Sequence, residues 1–104
     1  MNRRTDAATL LERVLLADAA KSRVTVAVIA SGATRWASAT FVGARHRLTL
    51  SGDATDAAAA WLDELADADL PLRGHLVADL AVIERAVAEA RFTATVEVLT
   101  VEEA

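Results

Sequence analysis

His75–Ala90, HLVADLAVIERAVAEA, is the stretch whose reading decides the fold. Leu76, Leu80, Ile83 and Val87 share one face of a helix, but Leu76, Ala78, Leu80 and Val82 share one side of a strand, with Asp79 on the other. Periodicity fits both, so the flanks must arbitrate. A helix here would have neither an evident capping residue nor a linker before the next segment, RFTATVEVLTV. The reading is therefore a strand from 75 to about 85, a reversal around Val87 to Ala90, and a final strand from Arg91 to Val101. The alternative is a third helix at about 76–90, which draws on the helix preference of alanine in AVAEA, itself a poor turn sequence.

Immediately upstream, Pro71 forbids continuation of any helix arriving from DATDAAAAWLDELADAD, and LPLRG is a short connection. Asp53 or Thr55 can cap that helix. Ala58, Trp61, Leu62 and Leu65 form its apolar face, with Asp56, Asp63, Glu64 and Asp67 pointing away. Before it lies FVGARHRLTLSGD. In an extended chain Arg45, Arg47, Thr49 and Ser51 fall on one side, and His46, Leu48 and Leu50 on the other. The arginines solvate an outer face, and His46 belongs at the edge of the apolar side.

Further back, VTVAVIA reads as a strand apolar on both sides, hence a central one. Ser31-Gly32-Ala33-Thr34 reads as a turn, RWASATFV as a second strand, and Gly43-Ala44 as a reversal into the third. At the start, Thr5 or Asp6 can cap a helix running to about Lys21, with Leu10, Leu11, Val14 and Leu15 as its apolar stripe. The predicted order is α-β-β-β-α-β-β. This is an α+β two-layer sandwich, mainly antiparallel, with two helices on one face of the sheet and residues 1–104 in a single domain.

Composition limits the function. The chain has 104 residues, no cysteine, and a core that must be filled by Ala, Val and Leu, since only two Phe and two Trp are aromatic. Disulfides, thiolate metal sites and cysteine nucleophiles are excluded together. No apolar run is long enough to span a membrane, and Glu12, Arg13 and Asp18 interrupt what would be the core of a signal peptide. The expectation is an uncleaved, cytoplasmic protein with no membrane association. Residues 1–52 carry eight Arg/Lys and three Asp/Glu, whereas residues 53–104 carry three and twelve. The simplest use of that asymmetry is attraction between the halves or between copies of the chain. Nucleic acid is disfavoured, because a chain of net charge −4 repels polyanions.

Chemistry is sparse. There is no GxSxG turn, and Ser51 and His46 lie on opposite strand faces, so no hydrolytic triad is expected. His46 and His75 lack the short spacing of a metal motif, which leaves no metal site and no cofactor as the expectation. If the hairpin closes at Gly43, then Arg35, Trp36, His46, Arg73 and His75 gather at one end of the sheet, where arginine forks could hold an anionic small molecule. Against this stands the second sheet face, with Thr25, Ala27, Ile29, Thr95, Glu97, Leu99 and Val101, which reads as too apolar to be left to water. The leading expectation is a non-enzymatic protein-interaction or oligomerisation domain, homodimeric through that face or docked on another protein. The second is an anionic-ligand domain or small enzyme using the Arg/His/Trp cluster.

Overall fold

A computed structural model of the protein describes residues 6–103. Thr5, one of the two candidate caps, and the MNRRT start lie outside the described residues. Asp6 is extended and accepts from the backbone N–H of Thr9 at 2.8 Å, opening helix α1, Ala7–Lys21. Leu11, Leu15 and Ala19 are its buried positions. Two long strands follow, β1 (Val26–Ala37) and β2 (Val42–Asp53). Thr55 caps α2, Asp56–Glu64, by accepting from Ala58 N–H at 3.0 Å, and a 3-10 turn, Leu65–Asp67, finishes it. Strands β3 (His75–Ala88) and β4 (Arg91–Glu102) complete the chain. The segment that could have been a third helix is β3.

The sheet is antiparallel throughout, in the order β1-β2-β4-β3. Both helices bury their apolar faces against one side of it. Leu48 and Leu50 of β2 and Phe92, Ala94, Val96 and Val98 of β4 meet Leu11, Leu15, Ala58, Trp61, Leu62 and Leu65 in one core. Ala58, Trp61, Leu62 and Leu65, the predicted apolar face of α2, are all buried. The two helices are tied by the Trp61 indole N–H, which donates to Asp18 Oδ2 at 2.9 Å. A hydrogen bond to a charged acceptor contributes about 1.5–3 kcal/mol.

Three expectations fail in the first half. There are two strands before α2 rather than three, so the order is α-β-β-α-β-β. Ser31-Gly32-Ala33-Thr34 runs straight through β1, and Gly43-Ala44 lies inside β2. The reversal falls instead at Ser38–Phe41. There Ser38 Oγ accepts from the N–H groups of Thr40 and Phe41 at 3.3 and 3.0 Å, and Ser38 N–H donates to Phe41 C=O at 2.8 Å. A serine that bonds the backbone two and three residues on outweighs a glycine that needs no special angles. Finally, β1 is an edge strand. The centre is held by β2 and β4, in which every second residue is buried from His46 onward in β2 and from Phe92 to Thr100 in β4.

Both edges are bulged. The pairing register slips between Val28 and Ala30 in β1, and between Val77 and Asp79 and between Val82 and Glu84 in β3. Two of the skipped residues are Ile29 and Ile83, both exposed. Each bulge reverses the side to which later residues point. In β1 that slip has large consequences: Val26 and Val28 face the helices, but beyond Ile29 it is Ser31, Ala33 and Arg35 that do so, and Trp36 is turned to the opposite side.

Candidate functional site

Two surfaces can do work: a groove on the helix side at one end of the sheet, and the sheet's open side. On the helix side, the register places Arg35 (β1), Ala44 (β2) and Thr100 (β4) in one row and Ala33, His46 and Val98 in the next. His75 and Glu102 pair at the ends of β3 and β4. The start of α1, at Asp6, Ala7 and Ala8, closes the top. Because four of the lining residues are alanines, a groove of about 560 Å³ remains.

His46 is its most constrained member, 4% exposed. Its Nε2 lies 2.9 Å from Thr100 Oγ1, and the Thr100 hydroxyl in turn donates to Ala44 C=O at 3.4 Å. Burial holds the His46 pKa below the ordinary histidine value, the nearby His75 pushes the same way, and Asp6 opposes both. Asp6 itself is held low by the hydrogen bonds from Thr9. Arg35 faces Glu102 at 3.5 Å, and His75 Nδ1 lies 3.1 Å from Arg73 C=O.

Of the five sequence-predicted ligand residues, the groove brings together Arg35, His46 and His75. Trp36 is on the far side of the sheet, and Arg73 lines a different depression, with Pro71 and Leu76. Sequence reasoning missed Asp6, Thr100 and Glu102. The sequence marks Asp6 only as a cap and the last two only as strand positions, since nothing local says that β4 inserts beside β2. The one hydroxyl weighed as a nucleophile, Ser51, does not meet His46, which is on the other side of the sheet bonded to Thr100. Ser51 pairs with Ala27 and Thr93 on the open side, and its Oγ accepts from Arg91 at 3.2 Å. Among the described residues no three His, Cys, Asp or Glu side chains cluster as metal ligands would.

The open side is built from the alternate strand positions. Across β1, β2, β4 and β3 its rows read Trp36–Gly43–Val101–Leu76, Thr34–Arg45–Leu99–Asp79, Gly32–Arg47–Glu97–Ala81 and Ala30–Thr49–Thr95–Glu84. The expected apolar face is thus corrected. Ala27, Thr95, Glu97, Leu99 and Val101 do lie there, but Thr25 precedes the strand and Ile29 is the bulge residue. The centre is polar, with Arg47 and Glu97 3.8 Å apart, and Arg91 bonded to Asp53 at 2.9 Å toward the other end. Apolar surface is concentrated in the first row. Leu76 is 56% exposed, and the Trp36 ring lies across Gly43, where any Cβ would strike it. The Trp36 indole N–H is buried with no acceptor among the described residues, and such a donor costs about 1–3 kcal/mol.

No family model matches the chain, and no curated protein and no solved structure matches it either. Among the described residues no helix is long and apolar enough to cross a membrane.

Proposed function

We propose that this is a protein-interaction domain that associates with a second polypeptide, in the first instance another copy of itself, through the open side of its sheet. The observation that carries this reading is the placement of both helices on one side. Four strands of twelve or more residues are left with the other side uncovered by any described residue. At about 4.8 Å per strand and about 3.3 Å per residue, that side measures roughly 19 by 40 Å. The resulting 760 Å² or so is about what each partner contributes to a standard protein–protein interface. The bulges support a face over an edge, since on β1 and β3 they interrupt the ladder that an added strand would need.

The convergence of Arg35, His46 and His75 favours a second reading, an anionic small molecule held in the groove. The charge there is nearly balanced, however, because Glu102 already answers Arg35 and Asp6 adds another carboxylate. The groove offers a carboxylate or phosphate little net attraction, and this places the sheet face first. The chain is not assigned a catalytic role.

Sedimentation velocity tests the reading. Concentration-dependent dimer is expected between about 1 and 100 μM, the range in which an interface of this size with a polar centre associates. Leu76→Asp is expected to weaken it by about tenfold or more while leaving the thermal unfolding midpoint unchanged, because Leu76 is outside the core. A chain that is wholly monomeric over that range, with Leu76→Asp indistinguishable from it, would end the proposal.

A further inference from the structure

We infer that the open side encodes the geometry of its own dimer: two sheets stacked face to face about a twofold axis that runs parallel to the strands, between β2 and β4. This rests on the interaction reading above and goes beyond it by fixing which groups meet.

The argument is one of charge order. Across the open side β2 carries Arg45 and Arg47 with Asp53 at its end, β4 carries Glu97 with Arg91 opposite Asp53, and β3 carries Asp79 and Glu84. A twofold along the strands lays β2 of one copy over β4 of the other and keeps each row at its own height. Arg47 then meets Glu97 of the second copy, twice, by symmetry. This row lies next to the middle of the sheet, where the crossing of about 30° between stacked sheets displaces side chains least. The same operation brings the two apolar rows, with Trp36 and Leu76, to the same end of the sandwich. A twofold lying in the interface across the strands does the opposite. It stacks β2 on β2, leaves Arg47 over Thr49, and turns the apolar row onto the Asp53–Arg91 pair. Only the first arrangement sets Arg47 on Glu97 and Asp53 on Arg91 and lays the apolar row on the apolar row.

Within one chain Arg47 and Glu97 are half or more exposed and 3.8 Å apart, so their ion pair contributes little to folding and both remain available to a partner. That permits a decisive mixing experiment with Arg47→Glu and Glu97→Arg. Each variant alone stacks like charge on like charge, and its self-association is expected to fall by about tenfold or more. Mixed in equal amounts they become complementary at both symmetry-related positions. The first variant then presents a carboxylate at both positions and the second a guanidinium at both, although each chain still carries its own internal repulsion. Native mass spectrometry with one variant isotopically labelled is expected to show a one-to-one heterodimer approaching wild-type strength. If wild type dimerises but the mixture stays monomeric, or if neither single variant loses self-association, the axis is wrong while the interaction reading stands. If wild type is monomeric throughout, both fall. Thermal midpoints of the two variants within about 3 °C of wild type show that folding is not the cause.

Discussion

The two sides of this sheet are made by the same four strands, yet they solve different problems. On the helix side β2 presents His46, Leu48 and Leu50 and β4 presents Phe92, Ala94, Val96 and Val98, all buried. Moving one residue along gives Arg45, Arg47, Thr49 and Ser51, and Thr93, Thr95 and Glu97, none of them buried. One side is filled by apolar volume and holds the fold together, whereas the other carries arginines, threonines and a carboxylate that are exposed or half-buried. The contrast is sharp because β2 and β4 contain no register slip, so a two-residue period runs through both without interruption.

The largest effect should come from breaking the helix side. Leu50→Ala is expected to cost about 2–5 kcal/mol in urea denaturation, since Leu50 has no exposed surface. Thr49→Ala, its neighbour on the open side, should stay within about 0.5 kcal/mol. Equal losses at the two positions would mean that the open side is structural after all. Gly43 is the expected exception on that side. A Cβ there would lie 2.0 Å from Thr100 O and under 3 Å from the Trp36 ring, so Gly43→Ala should lose about 1–3 kcal/mol by overpacking. A neutral result would show that the first row is loosely packed.

A smaller gain is expected where the two sides join. The β3–β4 turn is made by Glu89 and Ala90, both with positive φ, at 53° and 64°. Glu89→Asn with Ala90→Gly should stabilise the chain by about 0.5–1 kcal/mol, with no change in self-association. The last test is directional. His46 in the unfolded chain takes up its proton near 6.5, but in the fold only at lower pH. Stability is therefore complete above about 6.5 and declines as pH falls from there toward the folded value, because the unfolded chain binds the proton first. His46→Gln should flatten that slope in thermal melts between pH 7.5 and 5.5, roughly one unit either side of the reference value.

Much of this architecture is legible in the sequence, where local chemistry and alternation agree. Asp6 and Thr55 cap the helices, and the strand reading from 75 to about 85 follows from the lack of any cap or linker for a helix there, although the strand runs on to Ala88 and the second helix stops at Glu64, well short of Pro71. The alternation of Arg45, His46 and Arg47 correctly separates a solvated pair from a buried imidazole. The error of side in β1 has one physical origin. A single skipped residue at Ile29 inverts the parity of everything after it in β1, and no composition signal marks it. Counting from Val26 and Val28 puts Trp36 on the core side, whereas the slip puts it on the open side and hands Arg35 to the groove. The same segment hides its reversal, because Gly32 and Gly43 draw attention from Ser38, whose hydroxyl makes the turn. Thr100 and Glu102 became groove residues through long-range pairing with β2 and β3, which no local pattern announces.

The slip that reversed Trp36 also gives the molecule two optical probes that report on separate events. Trp61 is in the core, its indole bonded to Asp18, so its fluorescence follows unfolding. Trp36 lies half-buried on the opposite layer beside Gly43, so its emission would change if the proposed partner covered that layer. Replacing either one by phenylalanine therefore isolates a folding signal or a docking signal from the same chain, without an added dye.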